Sequence, residues 1–280
     1  MSDTPLIAFV ILVWNSERVI DKCLKSIVNL KKITPTVVVV DNGSTDSTSI
    51  IVDKYVSSYP NLIQSITYKE NKGTTVSRNC GIKFLKERNP DYYCILDSDT
   101  EITDEAFLKL ISEFIKHPQY GMIGPEMHSS NGIVQMSARA FPTLLEKVCK
   151  AVPNKKFQKR GEDMEKQIPP HPNMESYTVD YIMSACWLIR PEVLKFVGLL
   201  DEKIFYAPED AEYCIRVWKA GYQVAFCPSA KIVHEWQRLS KKKFVSKMNF
   251  EHIKGLIYMF NKHHYLMTTD KLKRSFNGDK

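Results

Sequence analysis

No stretch of this 280-residue chain is apolar for long enough to cross a bilayer. The longest such run near the start, Leu6 to Trp14, falls well short of the roughly 20 residues that a spanning helix needs. No charged leader with a small-residue cleavage site precedes it, so a soluble, cytoplasmic protein is expected. Paired cysteines are missing too. Seven thiols, at 23, 80, 94, 149, 186, 214 and 227, are scattered without a C-x-x-C pair, which implies neither a disulfide framework nor a zinc cluster. After the first apolar run there is no G-x-G-x-x-G, which argues against a dinucleotide oxidoreductase. Nor is there a glycine-rich phosphate loop with lysine, the usual mark of enzymes that make sugar nucleotides.

What is present is a large apolar fraction, 44% hydrophobic with 11% aromatic, enough for a sizeable core. The net charge of +7 is uneven: residues 238–280 hold eleven Lys and Arg against three acids, a surplus of eight, so the preceding 237 residues sum to −1. In that tail Phe244, Met248, Phe250, Ile253, Ile257 and Phe260 alternate with lysines, as in a basic amphipathic helix at an anionic membrane surface. A C-terminal helix docked on the core with a solvated basic face fits the same pattern.

Up to residue 120 the chain alternates apolar runs with helical periodicity. Leu6 to Val13, Thr36 to Val40, Leu62 to Tyr68 and Tyr92 to Leu96 read as buried strands; Glu17 to Val28, Ser47 to Val56, Thr75 to Leu85 and Asp104 to Ile115 read as helices. Such alternation predicts right-handed βαβ units, a mostly parallel open sheet with helices on both faces, and ligands outside the carboxyl ends of the strands. Past residue 120 the pattern weakens. Thr143 to Tyr177 reads as a long loop or lid, Val179 to Arg190 as a strand, Pro191 to Val197 as a short helix, Pro208 to Gly221 as a helix, and Tyr222 to Cys227 and Lys231 to His234 as two short strands.

Three clusters carry chemistry. Asp97 and Asp99, at i and i+2 where a buried strand ends, can share a divalent cation and a ribose; a helix cap and a solvated acid would look alike. Asp41, ending another strand before Asn42-Gly43, can accept from a base imide, though a capped turn needs the same residues. Glu209 and Asp210 open a helix, where acids are favourable in any protein, yet adjacent carboxylates on a rigid helix start also suit a general base and its orienter.

Taken together, several stretches resemble the nucleotide-sugar glycosyltransferases of family 2, which have the GT-A fold. They are Val13-Trp14-Asn15-Ser16-Glu17, Val40-Asp41-Asn42-Gly43-Ser44-Thr45-Asp46, Asn71-Lys72-Gly73 with Ser77-Arg78-Asn79, Leu96-Asp97-Ser98-Asp99, Ser184 to Arg190, Gly198 to Glu202, and Glu209-Asp210. The resemblance spans about Leu6 to His234. It implies that Asp41 and Arg78 hold the base, that backbone near Val13 frames it, and that Asp97 touches the ribose. Asn15, Glu17 and Ser98 are placed in the same nucleotide site. Asp99 with His234 would bind manganese or magnesium, Asp210 would be the catalytic base with Glu209 beside it, and Trp187 and Asp180 would face the acceptor. Cys186-Trp187-Leu188 and the basic tail point to the rhamnosyltransferase-like subgroup.

The expected organisation is a GT-A catalytic domain over 1–237, with a nucleotide half to about 120 and an acceptor half after it, followed by a helical tail over 238–280. The expected activity is inverting transfer from a UDP-, dTDP- or GDP-linked sugar to a glycan or lipid-linked acceptor, in cell-surface glycan synthesis, with the enzyme in the cytoplasm or peripheral at the inner face of the membrane. Nucleic acid is not an expected partner. A nucleotidyltransferase and a non-catalytic nucleotide-sugar module remain as alternatives.

Overall fold

The computed structural model describes residues 4–167, 169, 174–235 and 247–277. Its first part is strand β1 (Leu6–Val13), helix α1 (Ile20–Val28), β2 (Thr34–Asp41), α2 (Thr48–Ser58), β3 (Ile63–Thr67), α3 (Thr74–Leu85), β4 (Tyr92–Asp97), β5 (Thr100–Glu101) and α4 (Asp104–Lys116). β3, β2, β1 and β4 lie side by side and parallel. Both faces of β1 are buried, and this is why its sequence is apolar throughout rather than alternating. Ile7, Phe9, Ile11 and Val13 pack with α1 and α4, while Ala8 and Val10 pack with Ile82 and Leu85 of α3.

Beyond residue 120 come β6 (Tyr120–His128), β7 (Val134–Gln135), β8 (Ala138–Arg139), α5 (Leu144–Ala151), α6 (Lys155–Glu165), β9 (Tyr177–Thr178), β10 (Tyr181–Ile182), β11 (Cys186–Ile189), α7 (Pro191–Phe196), α8 (Glu209–Lys219) and β12 (Gln223–His234). The main sheet runs β3-β2-β1-β4-β11-β6-β12-β5, with β11 antiparallel to both neighbours, and β8 pairs with β10 in a separate ribbon. The expected α/β fold with helices on both faces is thus what the chain forms, but the sheet is mixed rather than mostly parallel, because β5, β7, β9 and β11 join it antiparallel.

Several expected elements differ. Residues 143–177 are not a loop but hold α5 and α6, started by side chains of Thr143 and Asn154 that accept from Glu146 N and Lys156 N. Their buried stripe includes Glu146 and Glu165, tied to Lys147, Lys150 and Arg139, while Leu144 and Val148 are exposed, so the residues that face inward are not the ones an apolar pattern marks. None of this segment's described residues lines the active-site cavity, and residues 168 and 170–173 lie outside the described residues. Val179 to Arg190 splits into β10 and β11, whereas Tyr222 to His234 is a single strand with a register shift between Cys227 and Lys231. β6 has no counterpart among the expected strands because Gly121, Gly124 and Pro125 read as breakers. At Gly124 a Cβ would stand 2.8 Å from Ile182, so close packing requires the glycine.

The tail forms α9 (Lys247–His263) and α10 (Asp270–Arg274). Leu256, Met259, Phe260 and Leu272 are buried in the same core as Trp187 and Tyr213. α9 crosses the chain just before α8 so closely that a Cβ on Gly255 would lie 2.3 Å from the Ala207 carbonyl. Phe250, Ile253 and Ile257 stay exposed at 68%, 56% and 56%. Docking is therefore real but covers one face only. The basic run from Arg238 to Lys243, with Phe244, lies outside the described residues.

Candidate active site

A cavity of about 330 Å³ opens where β1, β4 and β12 end and α8 begins. Asp97, Ser98 and Asp99 reach it from the end of β4, His234 from the end of β12, and Glu209 and Asp210 from the first turn of α8. Ligand atoms of Asp97, Asp99 and His234 all lie within 4.8 Å of one another. Two carboxylate oxygens and an imidazole nitrogen at that spacing are a donor set that suits manganese or magnesium with phosphate oxygens completing the shell.

Arg78 joins the two acidic groups. The α3 side chain, 2% exposed, donates from Nη2 to Asp97 Oδ1 at 2.7 Å and from Nη1 to Glu209 Oε1 at 3.0 Å. A third bond runs to the Ser184 carbonyl, and the Ser184 hydroxyl donates to Glu209 Oε1 at 2.9 Å. The guanidinium expected on the base is thus paired with the acids, bridging the buried Glu209 and the half-buried Asp97. Burial, reinforced by the charge of Asp210, pushes the Glu209 carboxyl up to about 7 despite Arg78. Burial also raises Asp210 and Asp97 above the usual carboxylate range. For His234, burial works against the charged ring, but the hydrogen bond and charge of Asp99 prevail and its pKa rises.

On the nucleotide side Asn15, at φ 51°, lines the cavity and accepts from Thr45 N, while Trp14 stands 43% exposed at the rim. Ser98 lines it too, its hydroxyl 2.9 Å from that of Ser16. Val13 and Asp41 sit one residue from the lining residues Trp14 and Asn42. Asp41 is 2% exposed; its Oδ1 accepts from Ser44 N, and its buried Oδ2 has no partner among the described residues. A lone buried carboxylate oxygen of this kind calls for a donor. Glu17 is not in the lining, and its carboxylate accepts from Ser47 N to brace the start of α2.

The two acceptor-side expectations need correction. Trp187 is fully buried, stacked on Tyr213 at 5.8 Å and donating to the Ile182 carbonyl at 3.0 Å. Asp180 accepts from Phe141 N and pairs with Lys273 of α10 at 2.7 Å. Both hold the second core together, and neither lines the cavity. Residues without a sequence signal stand there instead. Tyr206 faces the acids, its phenol pushed up to about 12 by burial first and then by Glu209. Met248 arrives from α9. Phe205 is fixed by Gly73, whose φ of 92° and lack of a Cβ allow the Phe205 carbonyl to approach; Thr74 N donates to it at 2.7 Å.

A family model described as glycosyl transferase family 2 matches residues 8–198. The chain belongs to glycosyl transferase family 2. It is 25% identical over 243 residues, 81% of its own length and 75% of the relative's, to an N-acetylglucosaminyl-diphospho-decaprenol L-rhamnosyltransferase of Mycobacterium tuberculosis. To the dTDP-rhamnosyl transferase RfbF of Shigella flexneri it is 25% identical over 74% of this chain and 62% of that one. A crystal structure of GalNAc-T7 with UDP, GalNAc and Mn2+ superposes with a TM-score of 0.69 at 16% identity, over 99% of this chain and 54% of that one. This family 2 chain is a glycosyltransferase of the GT-A fold and resembles the rhamnosyltransferases.

Proposed function

We propose that this glycosyltransferase works by metal-assisted, inverting transfer of a sugar from a nucleoside diphosphate donor to the hydroxyl of a lipid-linked glycan in cell-surface synthesis. The observation that carries the reading is the single cavity in which Asp97, Asp99 and His234 face Glu209 and Asp210 across Arg78. A non-catalytic binding module has no use for the second acidic pair. The relatives named for rhamnosyl transfer make a dTDP-linked donor the first to test.

When bound, the divalent cation supplies positive charge to the departing diphosphate. Asp97, Asp99 and His234 would hold it, and Asp41 with the backbone beside Val13 would hold the nucleoside, which pairs the orphan Oδ2 with an N–H of the base. Asp210 takes the proton of the acceptor hydroxyl, which attacks the face opposite the leaving group in one displacement. Glu209, tied to Ser184 and Arg78, keeps Asp210 in place. The division into a nucleotide half to about residue 120 and an acceptor half to 237 follows the same assignment.

The exposed stripe of Phe250, Ile253 and Ile257 and the basic surplus after Arg238 support peripheral contact with an anionic membrane, where a lipid-linked acceptor lies. Among the described residues no helix is long and apolar enough to cross one. The transfer reading is tested by screening UDP-, dTDP- and GDP-sugars for thermal stabilisation with and without Mn2+, then determining the anomeric configuration of the product by NMR. A product that retains the donor's configuration, or full turnover in excess chelator, contradicts it.

A further inference from the structure

Gln135 belongs to β7, a two-residue strand paired with the end of β6, and sits opposite Met127. It lies 99 residues from His234 in sequence, yet its amide meets that histidine twice. Nε2 donates to the His234 main-chain carbonyl at 2.7 Å, and Oε1 stands 2.6 Å from ring Nδ1. These two contacts fix which way the amide faces and put a hydrogen on Nδ1. A carbonyl oxygen only accepts, so the NH2 end of the amide must face the backbone and the oxygen must face the ring. An amide oxygen also only accepts, so Nδ1 must carry a hydrogen. In the neutral ring, the form that can take a cation, the lone pair then falls on Nε2; in the charged ring that Asp99 favours, Nε2 carries a hydrogen as well. That atom faces Asp99 Oδ1 at 3.4 Å, so two lone-pair donors converge on one point. The ring is 3% exposed and cannot reorient without breaking the Gln135 contact.

We propose that Gln135 is a positioning residue for the metal site: by accepting from Nδ1–H and gripping the His234 carbonyl, it fixes the tautomer and the ring plane that make Nε2 a ligand beside Asp97 and Asp99. This rests on the reading of Asp97, Asp99 and His234 as a cation site. It extends that reading to a residue that carries no motif and lies outside the cavity lining. Outer partners of this kind govern metal affinity because a histidine in the wrong tautomer presents N–H, not a lone pair, to the ion.

The test uses the full-length protein without donor or acceptor. Mn2+ affinity is measured by EPR titration for wild type, Gln135→Leu and Gln135→Glu, and the metal-free His234 tautomer is read by 15N NMR of histidine-labelled protein. Gln135→Leu should weaken Mn2+ binding by about 10- to 100-fold and leave a mixed tautomer. Gln135→Glu still accepts from Nδ1–H but loses the donor to the His234 carbonyl, so it should keep the tautomer and bind Mn2+ more tightly than Gln135→Leu. Melting curves show which variants are folded, and Gln135→Glu with the wild-type NMR signal keeps the test decisive if Gln135→Leu does not fold. A neutral wild-type ring, read above its pKa, that carries its hydrogen on Nε2, or a folded Gln135→Leu with undiminished affinity, overturns the proposal. Failure of the wild type to bind Mn2+ while the tautomer is as stated removes the cation reading instead, and the ligand role with it.

Discussion

In the half proposed to hold the nucleotide, Asp41, Asp97 and Asp99 stand at or just past the ends of the strands that precede them, and the order of β2, β1 and β4 brings them together. In the half proposed to hold the acceptor, Glu209 and His234 are each held by something distant. Glu209 is fixed by Arg78, 131 residues earlier, and by Ser184. His234 is fixed by Gln135, 99 residues earlier. The helix bearing Glu209 and Asp210 is itself backed by the tail, where Lys262 donates to Asp201 and to the 1%-exposed Glu212, and Tyr258 donates to Asp201. One half is organised by strand order and the other by buried charge pairs. Such pairs stabilise only while complete, since a buried carboxylate stripped of its partner costs several kcal/mol. Changes at Asp41 and Asp99 should therefore act on ligand binding, and changes at Glu209, Asp210 and the tail on rate, docking or stability.

The largest effect expected is in the nucleotide half. Asp99→Ala removes a ligand from the Asp97, Asp99 and His234 group; transfer should be abolished and Mn2+-dependent nucleotide binding lost, with the melting temperature little changed. Calorimetric titration of the nucleoside diphosphate with and without Mn2+ checks this. Unchanged turnover would move the metal site elsewhere and dissolve the contrast between the halves.

Across the cavity, Asp210→Asn keeps size and the hydrogen bond to Ala211 N but cannot take a proton. The rate should fall by about 10²- to 10⁴-fold, with donor affinity nearly unchanged. A collapse of donor affinity with the rate per bound donor preserved would instead make Asp210 part of the nucleotide half.

This contrast also explains what the sequence disclosed. β1, β2 and β4 were legible because each is built on an unbroken apolar run, and α1 and α4 because each has an aliphatic stripe. The acids at the strand ends were legible with them, as was the helix of Glu209 and Asp210. α5 and α6 were hidden because their inward stripe contains Glu146 and Glu165, and hydropathy scores those as solvent-facing. Trp187 and Asp180 misled for the opposite reason: an aromatic and an acid near a motif suggest a ligand, but their actual partners, Tyr213 and Lys273, are spatial neighbours that no local pattern reveals. Gln135 and Tyr206 gave no signal of their own.

A smaller effect is expected at the tail's outer face. Replacing Phe250, Ile253 and Ile257 together by serine leaves the buried Leu256, Met259 and Phe260 untouched, so thermal stability should hold. Flotation with anionic vesicles should weaken at least about tenfold, since burying each such side chain is worth about 1.5–3 kcal/mol. Raising salt should weaken wild-type binding as well. Absence of vesicle binding by the wild type at low salt ends the membrane proposal and leaves the tail a purely structural part of the acceptor half.

The smallest effect concerns how well the buried charges of the acceptor half balance. Glu209 is an acid whose folded-state pKa is raised to about 7 from an ordinary 4.5, by burial and then by Asp210, with Arg78 compensating only in part. Between those two values the folded protein holds a proton that the unfolded chain has released, so this group's contribution to stability declines as pH rises through that window and levels off above it. Glu209→Gln stays neutral throughout and retains an oxygen to accept from Arg78 and Ser184. Near pH 5 the two proteins should therefore melt together, and at pH 8 the variant should melt higher by about 2–4 °C. It would be less active, because Asp210 loses the ionised neighbour that orders it. Scanning calorimetry at both pH values decides the matter. A variant that melts lower at pH 8 would mean that the Arg78–Glu209 pair outweighs the burial of the charge. The acceptor half would then be stabilised by its ion pairs at the active site as it is around Glu212, rather than strained there in the service of the reaction.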